Sequence, residues 1–208
     1  MYELFNLVKP YTMIYFEELF NLYKLACAVQ KRGVPGAIVE CGVCNGGSAA
    51  VLASAFAASP RRLLWLYDNF DGLPPADPED GAVAPLFTGM FKGTVDNVGK
   101  VLAKVGFPPE RVVLRNGLFA HTFAQPLPDQ VALLHINSDW YESELLSLKT
   151  FYPRMPDGGV VILGDYGYWE GARKAFYAFC RECDAEPLLE RQGVEQAYWV
   201  KGREHNRA

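Results

Sequence analysis

The chain has 208 residues, half of them hydrophobic and about a fifth charged, with a formal net charge of -4. That composition suits one globular domain with a sizeable core, and the acidic balance excludes an electrostatic case for a nucleic-acid backbone or an anionic membrane. The longest apolar run, Ala49 to Ala58, is too short to span a bilayer, and the first residues lack a basic, then apolar, secretory pattern, so a cytoplasmic location is expected.

Taken in chain order, apolar residues recur at helical spacing from Tyr11 to Gln30, and Gly33, Pro35 and Gly36 end that helix. Ala37–Cys41 reads as a buried strand and Ser48–Ala58 as a helix ended by Ser59-Pro60. Arg62–Tyr67 is a second strand, and Asp71–Gly89, rich in Pro, Gly and Asp, is a loop. A helix over Thr94–Val105 precedes strands at Arg111–Arg115 and Val131–Ile136. Ser143–Tyr152 is a helix, Gly159–Leu163 a fifth strand and Trp169–Cys183 a long helix, and Glu186–Leu189 and Ala197–Val200 close the pattern as strands. Short apolar strands alternating with helices imply an α/β fold with a mostly parallel sheet, in which ligands bind beyond the carboxyl ends of the strands.

The strand ends carry the polar signals. After the first strand comes Glu40-Cys41-Gly42-Val43-Cys44-Asn45-Gly46-Gly47-Ser48. It has neither the lysine of a phosphate loop nor the spacing of a dinucleotide fingerprint, and alone it is also a plain strand-to-helix turn. Asp68, at the tip of the second strand, is placed to accept ribose hydroxyls, although a turn through Asn69-Phe70-Asp71-Gly72 would use it too. Asp139 after the fourth strand and Asp165 after the fifth are the acids best placed to take a proton or hold a cation. His121 follows the third strand as a second candidate base; His135 lies inside an apolar strand and His205 in a polar tail. Phe70, Trp140, Tyr141, Tyr166, Tyr168 and Trp169 form an aromatic rim that suits a sugar ring, a flat scaffold or a dimer contact. Five cysteines include two C-x-x-C pairs, Cys41/Cys44 and Cys180/Cys183. Their wide separation favours buried thiols over a zinc site.

Several segments together resemble the macrocin O-methyltransferase family, whose members methylate sugar hydroxyls of macrolide and aminocoumarin antibiotics. They are Val39-Glu40-Cys41-Gly42-Val43 with Gly46-Gly47-Ser48, Tyr67-Asp68-Asn69-Phe70-Asp71-Gly72-Leu73-Pro74, Leu134 to Ser143, Pro156 to Ile162, Asp165-Tyr166 and Gly171 to Ala175. The resemblance runs from about Tyr11 to Val200. It implies the class I methyltransferase sandwich, a Rossmann-like seven-stranded sheet with an antiparallel last strand. Residues 1–36 would form a helical segment over the cofactor and residues 37–202 the core. It further implies that S-adenosylmethionine is bound by Glu40, Gly42, Gly46, Gly47 and Ser48, with Asp68, Asn69 and Phe70 at the ribose, Gly117 and Leu118 beside the adenine, and Thr12 and Met13 folding over it.

The departures from the family pattern fall on its magnesium site. Where members carry three carboxylates, this chain has Asn137, Gly164 and Asp165. One carboxylate of three remains, so weak or absent magnesium dependence is expected, with Asn137 and Asp165 the residual ligands. The implied activity is methylation of a hydroxyl on a small sugar or natural product by a homo-oligomer, with Asp139 as base, Asp165 orienting the acceptor and His121 as the fallback base. The alternative is a protein that binds the cofactor but has lost methyl transfer, or uses it to shape a pocket for another reaction.

Overall fold

The computed structural model describes residues 1–59 and 61–203; Pro60 and the tail with His205 lie outside the described residues. Seven strands, β1 (Ala37–Cys41), β2 (Leu64–Asp68), β3 (Val112–Asn116), β4 (Val131–Ile136), β5 (Val160–Leu163), β6 (Glu190–Gln192) and β7 (Gln196–Val200), form one sheet in the order β3-β2-β1-β4-β5-β7-β6. β1 to β5 pair in parallel, and β7 runs antiparallel to both of its neighbours. Strands β1, β4 and β5 are buried along their whole length. That is why they read as continuous apolar runs rather than alternating ones. The strand order reverses between β1 and β4, which opens a crevice at their carboxyl ends.

The helices α1 (Tyr2–Val8), α2 (Phe16–Lys31), α3 (Gly47–Ala55), α4 (Val95–Lys104), α5 (Phe119–Thr122), α6 (Tyr141–Phe151) and α7 (Glu170–Glu182) cover both faces. One core joins α1 to α4 with β1 and β2 through Leu19, Leu22, Leu52, Phe56 and Leu66. The other joins α6 and α7 to the opposite face through Phe151, Phe179, Tyr67 and Trp199. Among the described residues no helix is long and apolar enough to cross a membrane.

Three expectations shift. The first predicted helix begins at Phe16 rather than Tyr11, because Pro10 sits in a short 3-10 turn (Lys9–Tyr11) and Thr12 is extended. The Thr12 hydroxyl there accepts the Ile14 N–H at 3.1 Å. The stretch expected as loop from Asp71 contains two 3-10 turns, Pro78–Asp80 and Ala84–Phe87. The first is fixed by a capping box between Asp77 and Asp80, and Asp80 also accepts the Tyr141 N–H at the start of α6 at 2.7 Å. The sixth strand lies at Glu190–Gln192 rather than Glu186–Leu189. Its register is set by the turn at Gly193, φ +65°, which pairs Gln192 with Gln196 across three residues.

Candidate active site

A cavity of about 550 Å³ opens at the carboxyl ends of β1, β2, β4 and β5. Its floor is the turn from Gly42 to Ser48. Gly42 has φ +86°, and a Cβ there would stand 1.9 Å from the Asn137 carbonyl oxygen, so only glycine lets the turn after β1 pass the turn after β4. Gly47 is pressed by the segment before α2: a Cβ would meet that of Thr12 at 2.6 Å. Gly93 crosses the same turn from above, 2.0 Å from the Cys44 carbonyl oxygen by the same measure. The N-terminal segment and the 88–93 loop are thereby clamped over the turn after β1.

Asp68 ties this turn to β2. One carboxylate oxygen accepts the Val43 and Cys44 N–H groups, both at 2.7 Å, and the other accepts the Phe70 N–H at 2.6 Å. A carboxylate offers about four acceptor sites. Asp68 therefore keeps about one for a ligand hydroxyl, fewer than the two a ribose presents.

On the wall of the same cavity, Asp139 sits in the left-handed region at φ +65°, a conformation that costs energy for a residue with a Cβ and must be held by its surroundings. Its backbone N–H donates to Asp165 Oδ2 at 3.0 Å, and its Oδ1 accepts the Trp169 indole N–H at 2.6 Å. The second Asp139 oxygen makes no hydrogen bond among the described residues. Burial pushes the Asp139 carboxyl up to about 7, opposed by the Trp169 bond and reinforced by nearby Glu144 and Asp68. Asp165, 7% exposed, is raised well above the carboxylate range by burial and then by Asp139. Two acids that share low-dielectric surroundings cannot both ionise easily, so the pair titrates as a unit.

Of the residues singled out from sequence, Thr12, Met13, Gly42, Ser48, Asp68, Asn69, Gly117, Leu118, Asn137, Asp139 and Asp165 line this one cavity. Glu40 does not reach it. It is fully buried on β1, with Oε1 2.8 Å from His135 Nδ1 on β4, so it belongs to the core between the strands. Gly46 and Gly47 lie beneath the cavity, against Val98 and against Tyr11 and Thr12. Phe70 packs on the core, and His121 is exposed on α5 outside the cavity. Of the aromatic rim, only Tyr168 and Trp169 line the cavity. Trp140 is buried with its indole N–H on the Pro74 carbonyl at 2.8 Å, and the Tyr166 hydroxyl meets that of Tyr177 at 3.1 Å. Sequence reasoning missed Tyr15, Ser138 and Glu195, all of which line the cavity. Ser138 lay in plain view between two singled-out residues, but Glu195 had no local signal because the sixth strand was expected at Glu186–Leu189 rather than Glu190–Gln192, which hid the tight turn that holds Glu195.

The magnesium positions can be tested directly. A Cβ on Gly164 would stand 1.7 Å from the Asn137 amide oxygen, so the Asn137 side chain occupies the space where a side chain at 164 would start. The two departures are thus one local arrangement. The remaining carboxylate, Asp165, has one oxygen taken by the Asp139 N–H. Among the described residues no group of three or more His, Cys, Asp or Glu side chains is arranged to hold a metal ion. Magnesium, which is held through carboxylates in near-octahedral geometry, does not fit this donor set. The five cysteines are all free thiols.

Residues 8–201 match the family described as macrocin-O-methyltransferase (TylF). The chain is 29% identical, over 163 residues, to 8-demethyl-8-(2,3-dimethoxy-alpha-L-rhamnosyl)-tetracenomycin-C 4'-O-methyltransferase of Streptomyces olivaceus; the match spans 75% of this chain and 62% of that protein. It is 29% identical over 204 residues to demethyldecarbamoylnovobiocin O-methyltransferase of Streptomyces niveus, 93% of this chain and 76% of the relative. The solved structure of the O-methyltransferase NovP superposes with a TM-score of 0.85 at 27% identity, over 93% of this chain and 83% of that one.

Proposed function

The chain belongs to the macrocin O-methyltransferase family, and on that premise we propose that it transfers a methyl group from S-adenosylmethionine to a hydroxyl of a small glycosidic or natural-product acceptor, without magnesium. The observation that carries this reading is one cavity lined both by the turn after β1, Asp68 and Leu118 and by Asp139 and Asp165. Relatives named for O-methylation of such compounds support the substrate class.

When bound, the cofactor supplies a methyl group on a positively charged sulfur. Gly42, Ser48 and Asp68 hold it, with Thr12 and Met13 closing from the N-terminal side. Tyr168 and Trp169 give the acceptor ring an apolar wall. Asp139 accepts the hydroxyl proton as the acceptor oxygen attacks the methyl carbon in line; the carbon–oxygen bond forms, the carbon–sulfur bond breaks, and S-adenosylhomocysteine leaves neutral at sulfur. Asp165 orients Asp139 through its backbone N–H, and Trp169 through its carboxylate. A base near 7 is suited to this task, since its ionised form is available near neutral pH while still holding a proton well. With no carboxylate at 137 or 164 to hold magnesium, this reading assigns the proton to the protein's own side chains.

We further propose that the enzyme self-associates through the aromatic row Tyr2, Phe16 and Phe20, whose rings stack at 5.0 and 6.2 Å and whose outer member, Tyr2, is 74% exposed.

The test is methyl transfer from S-adenosylmethionine to a glycoside panel, read by product mass. Cofactor binding without product formation across all acceptors would favour the alternative of a binding protein that has lost the transfer step.

A further inference from the structure

The residues proposed to hold S-adenosylmethionine leave one of its groups without a charged partner: the carboxylate at the end of its amino-acid arm. That group stays ionised well below neutral pH, and bringing it into a cavity without donors is costly. The turn after β1 has few donors left for it. The Val43 and Cys44 N–H groups are taken by Asp68, and the Gly46 N–H by the Val43 carbonyl at 2.8 Å. The Asn45 amide is committed as well, accepting the Asn97 side-chain N–H at 2.9 Å and donating to the Cys44 sulfur at 3.6 Å. Of α3, only Ser48 lines the cavity, and it offers a neutral hydroxyl.

Lys92 is the one cation among the described residues that line the cavity. Its ammonium has no hydrogen bond or ion pair among the described residues. Its backbone, by contrast, is fixed against the turn after β1. The Cys44 thiol lies within hydrogen-bonding distance of the Phe91 and Lys92 carbonyls, at 3.4 and 3.7 Å. Phe91, itself on the cavity wall, has φ +60°, a backbone conformation that its surroundings must hold. Gly93 passes so close that a Cβ there would stand 2.0 Å from the Cys44 carbonyl oxygen. Lys104, on α4, is not free in this way: its Nζ donates to the Tyr11 hydroxyl at 2.9 Å and lies 4.8 Å from the centre of that ring. An uncommitted ammonium carried on an anchored backbone is the chemistry that recognises a carboxylate.

Resting on the methyltransferase reading above, we propose that Lys92 binds the carboxylate of the cofactor's amino-acid arm. Lys92 is then a cofactor-binding residue that takes no part in the transfer. The Cys44 thiol and Gly93 act through it, by fixing the backbone that carries it.

The experiment compares two ligands that share an adenosine and a thioether. S-adenosylhomocysteine carries the amino-acid arm; 5'-methylthioadenosine has only a methyl group in its place. Affinities for the wild type, Lys92→Gln and Lys92→Arg are measured by calorimetry, directly for the first ligand and by competition with it for the second. Lys92→Gln should weaken S-adenosylhomocysteine by about fivefold to tenfold, the scale of a partly exposed charge-assisted bond, and leave methylthioadenosine unchanged. Lys92→Arg should keep most of the affinity. Without ligand, both variants should melt with the wild type, because the Lys92 side chain ties down nothing else. Unchanged S-adenosylhomocysteine affinity in Lys92→Gln, or an equal loss for both ligands, would overturn the proposal and leave the methyltransferase reading standing. Absence of S-adenosylhomocysteine binding in the wild type would remove that reading, and the proposal with it.

Discussion

At the residue scale the account rests on Asp139. Its strained backbone, its two fixed hydrogen bonds and a second oxygen without a hydrogen bond among the described residues support the proposed role as base. Asp139→Asn keeps the shape and removes the basicity, so kcat should fall by about 10²–10⁴-fold with cofactor affinity intact. In the wild type, kcat/KM should rise about tenfold per pH unit and level off above an apparent pKa near 7, a value that belongs to the Asp139–Asp165 pair. An unchanged rate in the variant, or a flat profile between pH 5 and 7, would remove Asp139 from the chemistry. The same shift has a stability consequence of the opposite sense. The folded state binds the Asp139 proton more tightly than the unfolded chain, whose carboxyl titrates near 3.8. This contribution is therefore fully present below about pH 4 and is lost as pH rises through about 7.

Glu40 and His135 give a second residue-scale test. The pair is completely buried, and Glu40 Oε2 and His135 Nε2 have no further partners. His135→Leu should destabilise by about 3–5 kcal/mol in denaturant titration because it strands a buried carboxyl. Joint replacement of both residues by leucine should recover most of that loss. A single variant as stable as the wild type would show that the pair is not a mutually dependent unit.

At the element scale, the cavity is made by close backbone crossings over the turn after β1. Gly42→Ala combines a positive φ with a 1.9 Å clash against the turn after β4. It should cost about 2–4 kcal/mol of stability, seen as a lower Tm, and weaken cofactor binding with it. Gly47→Ala meets Thr12 and the Tyr11 carbonyl instead. Its effect should fall on the N-terminal segment, as faster amide exchange at residues 11–15 with the core unchanged. Asp68→Ala is a less clean probe than a ribose ligand alone would be. It frees three backbone N–H groups as well, so loss of cofactor affinity should come with loss of stability.

What could be read from sequence divides along these same lines. Strands β1 and β4 were legible to the residue because both faces are buried and the apolar runs end at polar turns. Strand β6 was not, because a three-residue edge strand takes its place from the hairpin turn and its partner, while Leu188-Leu189 supplied a misleading apolar signal. Asp68, Asp139 and Asp165 were legible as strand-end acids. Which way Glu40 and Trp140 point was not, since a strand or turn position does not reveal which face a neighbouring helix covers. The coupling of Asn137 to Gly164 is a packing fact between adjacent strands and had no local trace.

At the scale of the whole molecule, the sheet order brings the residues proposed to hold cofactor and acceptor from four strand ends into one space, and two crossing segments cover the turn after β1. The exposed aromatic row on α1 and α2 lies on the outside. Light scattering of the intact protein should give a mass of about twice 23.2 kDa, reduced to one by Tyr2→Ser with Phe20→Ser; a monomer in the wild type would end the self-association proposal. The most direct test of the central claim is transfer of a labelled methyl group from S-adenosylmethionine to a glycoside hydroxyl, with excess chelator present. The expected result is an O-methylated product formed at nearly the same rate with chelator as with added magnesium. Transfer that chelator abolishes and magnesium restores would contradict the account, because Asn137, Gly164 and Asp165 would then be holding a metal that their geometry does not provide for.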